Sequence, residues 1–231
     1  MSAAHEQKQR VADAAVELIE SGMTLGLGTG STAALAIAAL GHRVAAGLDV
    51  RGVPTSFASE RLAREHGIPL STLDETPSLD LAFDGADAFD ESTLGLIKGR
   101  GAAMTREKIV ASAAKRFVVL VDAGKRSDWL GADVAVPIEI VPMAARPVSD
   151  RLRALGAEPQ LRMGERKDGP VVTDQALWII DARFAEPFDP VALNRTLLDT
   201  PGVLDHGLFL GLATDLLVGE DDGSVTHLRS T

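Results

Sequence analysis

The chain contains no cysteine. That absence removes disulfide frameworks, thiol nucleophiles and cysteine-ligated zinc together, and it fits a reducing compartment. Histidine is sparse: His5, His42, His66, His206 and His227 are scattered without ligand spacing, so neither a metal centre nor a Ser-His-Asp triad finds support. Aromatic residues make up 4% of the chain, too few for a platform that stacks single-stranded bases, and Trp129, Trp178 and the seven Phe read as packing. No basic run interrupts a formal net charge of -10. This balance argues against a nucleic-acid partner or an anionic membrane surface, and an anionic substrate would need a local cationic pocket. Long apolar runs are missing too, since the longest, 32–40, is far shorter than the roughly 20 residues a bilayer span requires. Residues 1–10 are strongly polar, and Asp13, Glu17 and Glu20 interrupt the apolar stretch after Val11, so no export signal is read there. A cytoplasmic protein is expected.

What is present is ordinary globular composition, 45% hydrophobic and 24% charged over 231 residues, enough for one large domain with a satellite. Val11, Ala15, Leu18 and Ile19 share one stripe of an amphipathic helix over 5–21, which Gly22 stops. A strand at 23–27, a glycine turn and a helix at 31–40 capped by a hydroxyl residue follow. The alternation continues with strands near 50–53, 68–71, 79–83 and 117–121 and helices near 57–66 and 102–115. Such alternation predicts an α/β fold with a mainly parallel, Rossmann-like sheet covered by helices on both faces. Beyond Asp133 the order becomes strand 134–140, helix 145–155, strands 159–163 and 176–181, helix 190–199 and strand 202–210. That is βαββαβ, the pattern of a smaller ferredoxin-like α+β domain. Strands at 215–218 and 225–229 around Asp221-Asp222-Gly223 read as a hairpin returning to the large sheet. The expected domains are therefore 1–132 with 211–231, and 133–210.

Four motifs carry chemistry. Gly28-Thr29-Gly30-Ser31-Thr32 lies between a strand and a helix N-terminus, where unpaired N–H groups and the helix dipole favour an anion such as phosphate. A tight turn with an N-cap fits the same residues. A dinucleotide fingerprint through Gly28, Gly30 and Ala33 fits worse, because the acid about 20 residues on, Asp49, precedes the second strand instead of ending it. Asp84-Gly85-Ala86-Asp87 follows an apolar strand, so its carboxylates can orient sugar hydroxyls or exchange protons with them, or form a solvated turn. Asp90 adds a third acid, but the spacing fits no calcium loop. Lys98-Gly99-Arg100-Gly101 presents a lysine to an oxyanion or phosphate, or is a surface turn. On the helix that follows, Lys108, Ser112 and Lys115 form the polar face, and Ile109, Val110, Ala113 and Ala114 the apolar one. Arg106 and Glu107 fall on or beside the apolar face, where ionisable groups either pair or line a cleft. Lys125, after the strand 117–121, brings charge to another strand end.

In this order, and with Thr105-Arg106-Glu107-Lys108, Ile140-Val141-Pro142-Met143-Ala144 and Pro201-Gly202-Val203, these motifs closely resemble the ribose-5-phosphate isomerase A family over nearly the whole chain. The resemblance implies interconversion of ribose 5-phosphate and ribulose 5-phosphate in the pentose phosphate pathway, without metal or organic cofactor, by a homodimer or homotetramer. It also implies roles. Glu107 would be the base that moves a proton between C1 and C2 through an enediol. Asp84, Asp87 and Lys98 would handle ring opening and charge on oxygen. Thr29, Gly30, Ser31, Thr32 and Lys125, with Lys8 as a further candidate, would hold the substrate, and Gly85, Ala86, Gly99, Arg100 and Gly101 would line it. Two positions depart from the family pattern: Arg100 stands where glycine is common and Ala88 where glutamate is. A non-catalytic sugar-phosphate sensor would keep the phosphate turn but need no base, and Glu107 and Lys98 argue against it.

Overall fold

The computed structural model describes residues 3–230. In chain order its elements are α1 (Ala3–Val16), β1 (Thr24–Leu27), α2 (Ser31–Ala45), β2 (Arg51–Pro54), α3 (Phe57–Glu65), β3 (Leu81–Gly85), β4 (Ala88–Phe89), β5 (Leu96–Ile97), α4 (Met104–Ser112) and β6 (Phe117–Asp122). There follow β7 (Val136–Ile140), α5 (Ala145–Ala154), β8 (Ala157–Leu161), β9 (Trp178–Phe184), α6 (Pro190–Leu198), β10 (Val203–His206), β11 (Leu208–Phe209), β12 (Asp215–Gly219) and β13 (Val225–Arg229). The chain divides into two compact units, one of Met1–Ala86, Arg106–Arg126 and Gly211–Thr231, the other of Asp87–Thr105 and Ser127–Leu210.

The first unit holds a six-stranded sheet in the order β13-β12-β6-β3-β1-β2, parallel except for the edge pair β12–β13. The hairpin expected at the end of the chain does join this sheet. Leu25, Leu27, Leu81, Phe83, Val118, Leu120 and Leu217 bury against Val11 and Ala15 of α1 and Ala36, Ile37 and Leu40 of α2. Near-continuous apolar strands are what burial on both faces demands. In the second unit a four-stranded antiparallel sheet runs β10-β7-β9-β8, and Val148, Leu152, Leu193 and Leu197 of α5 and α6 share its core. A small sheet, β11-β5-β4, completes that unit.

Several element boundaries differ from expectation for local reasons. α1 ends at Val16, because the chain tightens into a turn in which Leu18 N–H bonds Ala15 O and Ile19 N–H bonds Val16 O, both at 3.1 Å. Residues 68–71 form only a bridge from Leu70 to Gly52, since Pro69 offers no N–H to extend the ladder. The strand expected at 202–210 breaks at Gly207 into β10 and β11, which join different sheets. A side-chain Cβ at Gly207 would lie 2.1 Å from Lys98 O, so only glycine permits that crossing. β4 and β5 are two residues each and carry no period to read.

At the amino ends of β6 and β12, Asp215 ties three strands together. Its carboxylate accepts from Arg116 Nη2 and Nε (2.8 and 3.2 Å) and Thr214 Oγ1 (2.7 Å), and His227 Nε2 lies 2.8 Å away. Burial pushes its pKa up, but the hydrogen bonds from Arg116, Thr214 and His227 outweigh burial and hold it at about 2, below the usual 3.8. A carboxyl depressed in the folded state stabilises the fold above its unfolded pKa and loses that contribution as pH falls through the folded one. The stability gap between the parent and Asp215→Asn should therefore be full above pH 3.8 and shrink towards about pH 2. Urea denaturation across this window measures it, and a gap independent of pH would refute the assignment.

Candidate active site

In the six-stranded sheet β1 lies between β2 and β3, so the chain leaves β1 in one direction and later returns past it to continue in the other. The carboxyl ends of β1 and β3 thus meet at the topological switch point, where open α/β sheets form their crevice. There Asp84, 2% exposed, turns its Oδ1 to two backbone donors, Thr29 N–H at 3.0 Å and Gly85 N–H at 2.7 Å. Gly28 makes the approach possible. A Cβ on it would sit 2.5 Å from Asp84 Cγ, from Asp84 Oδ1 and from Phe83 O, distances that nothing but hydrogen can occupy.

The helix cap differs from the expected hydroxyl: the N-cap of α2 is Gly30, at φ 106°, with no side-chain capping bond. Positive φ explains the glycine, and the missing cap leaves the first N–H groups and the positive dipole end without a capping side chain. Lys8 Nζ donates to Ser31 Oγ at 3.2 Å, bringing a cation to the same turn. The Thr29 hydroxyl points inward instead. It donates to Ser56 Oγ at 2.6 Å and lies 2.8 Å from Thr55 Oγ1, which itself donates to Leu27 O at 3.0 Å. Thr29 consequently presents a fixed backbone, while its side chain anchors the turn to the end of β2. Thr32 is buried in the first turn of α2.

α4 precedes β6, which runs parallel to its neighbours, so the first turn of α4 belongs to the carboxyl edge of the sheet. It packs close because Gly26 has no side chain: a Cβ there would stand 2.5 Å from Val110 Cγ1. Glu107, one turn before Val110 on the same face, is 4% exposed, as its place beside the apolar stripe predicts. Ile109, expected on that stripe, is exposed instead. The buried face of α4 (Met104–Ser112) takes in Val110 but not its neighbour Ile109, so it is narrower than the wheel suggested. Ala102, at φ 60°, precedes the helix, and Ala113 and Lys115 bond the backbone of Leu79. Lys125 closes the Ala123–Lys125 turn directly after β6.

The second unit carries the remaining candidates. Asp87 N–H bonds Ile97 O at 2.8 Å, and Asp87 Oδ2 accepts from Arg100 N–H at 2.9 Å. Lys98 is 2% exposed, its N–H bonds Gly207 O at 2.9 Å, and its Nζ stands 5.5 Å from the Phe209 ring centroid. Gly99, at φ 110°, closes the loop with a 3.0 Å bond from Ala102 N–H. The Arg100 residue is exposed and outside the positive-φ region, so its departure from glycine brings no backbone strain. Ala88 is buried in β4.

Of the candidate residues, Thr29, Gly30, Ser31, Thr32, Asp84, Gly85, Ala86, Glu107 and Lys125 lie in the first unit, and Asp87, Lys98, Gly99, Arg100 and Gly101 in the second. Sequence reasoning missed Thr55 and Ser56 as anchors of Thr29, although the Pro54-Thr55-Ser56 strand end was visible. It also missed Gly207, whose one signal was a glycine inside an apolar strand pattern. Among the described residues no three His, Asp or Glu side chains gather in a way that would hold a metal ion, and no helix is long and apolar enough to cross a membrane.

Residues 51–223 match the family described as Ribose 5-phosphate isomerase A (phosphoriboisomerase A). The Ribose-5-phosphate isomerase A of Natronomonas pharaonis is 53% identical over 218 residues, 94% of each chain. That of Thermosynechococcus vestitus is 50% identical over 220 residues, covering 94% of this chain and 93% of the other. Among solved structures, ribose 5-phosphate isomerase A from Methanocaldococcus jannaschii superposes with a TM-score of 0.93 at 46% identity, over 97% of this chain and 98% of that one. A D-ribose-5-phosphate isomerase in complex with phospho-erythronic acid superposes with a TM-score of 0.95 at 42% identity over the whole of both chains.

Two glycines at the switch point differ in the space around them. Gly28→Ala should destabilise the protein by about 1–3 kcal/mol through overpacking against Asp84. Gly85→Ala, whose new Cβ would meet nothing nearer than Leu120 O at 3.7 Å, should be close to neutral. Urea unfolding of the two variants tests this, and equal stability losses would remove the claim that Gly28 is set by Asp84.

Proposed function

The chain belongs to the ribose 5-phosphate isomerase A family and interconverts D-ribose 5-phosphate and D-ribulose 5-phosphate, and we propose that it does so through an enediol with Glu107 as the base. The observation that best supports this reading is the switch-point arrangement of one unit: a buried Asp84 fixed by two backbone N–H groups, an uncapped helix N-terminus, and a buried Glu107 on the helix beside them.

In the open-chain aldose, the Glu107 carboxylate takes the proton from C2, the C2–H electrons form the C1=C2 bond, and O1 takes a proton from the Asp84 and Asp87 carboxyl groups, which recover it from O2 in the next step. The enediol then loses the O2 proton, the C2–O2 carbonyl forms, and Glu107 returns its proton to C1. C1 is reduced as C2 of the same molecule is oxidised, so the reaction is redox-neutral overall and the proposal includes no metal or organic cofactor. Asp84 and Asp87 exchange protons with the hydroxyl and ring oxygens during ring opening, and the Lys98 ammonium opposes negative charge developing on O1 and O2. Burial strengthens that electrostatic help, because water does not screen it. The phosphate goes to the turn around Gly30, where the α2 N–H groups, Ser31, Thr32 and Lys8 supply donors, with Lys125 as a further cation. The backbone of Thr29, Gly85, Ala86, Gly99, Arg100 and Gly101 lines the sugar.

The same reading places the enzyme in the pentose phosphate pathway and in the cytoplasm, with no nucleic-acid or membrane partner. We further propose a homodimer or homotetramer. The smaller unit exposes Val141, Met143, Val191, Leu198 and Leu204, with Met143 89% exposed, and these are apolar groups a self-complementary contact would cover. Sedimentation showing only monomer would refute that assembly.

The phosphate assignment is tested by Ser31→Asp, which sets a carboxylate against the substrate dianion. KM for ribose 5-phosphate should rise at least about tenfold with the fold intact, and unphosphorylated ribose should be a poor substrate for the parent. Equal activity on ribose and its phosphate, or an unchanged KM, would sink it.

A further inference from the structure

Arg162, just past β8, is a mostly buried arginine that the reaction just described does not use. One edge of its guanidinium grips Asp181 of β9 in a two-bond fork: Nε donates to Oδ2 at 2.8 Å, and Nη2 donates to Oδ1. The other edge faces the glycine loop, where Nη1 donates to Gly99 O at 2.8 Å and to Arg100 O at 3.2 Å. Such a planar fork fixes angle as well as distance, and a lysine cannot reproduce it.

What lies beyond those carbonyls gives the bracket its consequence. In a trans peptide the C=O and the following N–H point in opposite directions. The Gly99–Arg100 peptide turns its carbonyl to Arg162 and its N–H to Asp87 Oδ2, at 2.9 Å. A single peptide plane therefore separates the guanidinium from the Asp87 carboxylate, and hydrogen bonds at both ends polarise that peptide and strengthen one another. Lys98 immediately precedes the gripped carbonyls, and its own N–H is held at 2.9 Å by Gly207 O. The loop also contains Gly99 at φ 110°, a conformation that gives it no rigidity of its own.

We propose that Arg162, locked by Asp181, is a positioning residue that aims Asp87 through the Gly99–Arg100 peptide and holds the loop carrying Lys98. The proposal rests on the reading that Asp87 takes part in the reaction. It assigns Arg162 no contact with substrate.

A double-mutant cycle on kcat tests it with ribose 5-phosphate. Arg162→Met should lower kcat about 10- to 100-fold with KM changed less, as a misaimed group does. In an Asp87→Asn background the same substitution should cost less than about threefold, because the group it aims is already disabled. Arg162→Lys, which keeps the cation beside Asp181 but cannot span both carbonyls, should also lose kcat while melting near the parent temperature. It decides the matter if Arg162→Met does not fold. Equal losses from Arg162→Met in both backgrounds, or a parental kcat in Arg162→Lys, would overturn the bracket alone. A parental kcat in Asp87→Asn would overturn the role of Asp87 and the bracket with it.

Discussion

The carboxylate of Asp84 takes the N–H groups of Thr29 and Gly85 on one oxygen, at 3.0 and 2.7 Å, while only 2% of the residue is exposed. A buried carboxylate costs several kcal/mol unless donors replace its water, and hydrogen bonds to a charged group contribute about 1.5–3 kcal/mol each. The Thr29 bond ties the turn after β1 to the end of β3, and the Gly85 bond, from the next residue of the same strand, fixes the carboxylate that receives it. The rest of this edge follows from that tie. Gly28 has to be glycine because the carboxylate fills the space of its Cβ. With Thr29 fixed through its backbone, its hydroxyl is left to anchor the turn on Ser56 and Thr55. Gly30 then begins α2 at positive φ, leaving a helix N-terminus that no side chain caps.

The groups assigned to the reaction are held by different physics in the two units. In the larger one, strand ends and a helix packed over Gly26 do the positioning, and rigid elements place a side chain well. In the smaller one Asp87 lies just before β4 and Lys98 begins the loop after β5, and that loop has external braces: Gly207 O on one side and the Arg162–Asp181 pair on the other, with Asp87 tied to it through Arg100 N–H. Loops supply reactive groups when a scaffold fixes them.

Legibility from the sequence followed the range of the interactions. The parallel sheet was readable because apolar runs alternate with helical periods, and Gly28-Thr29-Gly30 and Asp84 were readable because glycine and aspartate mark strand ends locally. Glu107 betrayed itself as an acid beside an apolar stripe. Arg162 gave no such sign: the carbonyls it grips are more than sixty positions earlier in the chain, and an arginine next to a strand ordinarily faces water. Gly207 left only the weak sign of a glycine within an apolar strand pattern, and the two-residue strands β4, β5 and β11 left none, since a two-residue pairing has no period. Ile109 misled for a related reason, as a helical wheel gives the direction of a face but not its width.

The central claim is that Glu107 moves the proton between C1 and C2. Its most direct measurement is the rate at which the C2 hydrogen of ribose 5-phosphate exchanges with deuterated solvent, followed by NMR for the parent and for Glu107→Gln. The glutamine keeps the shape but cannot accept the proton, so exchange should slow by about a hundredfold to ten-thousandfold, while ribose 5-phosphate still raises the melting temperature of the variant. Exchange at the parental rate by a folded Glu107→Gln protein would contradict the account and make another carboxylate the base.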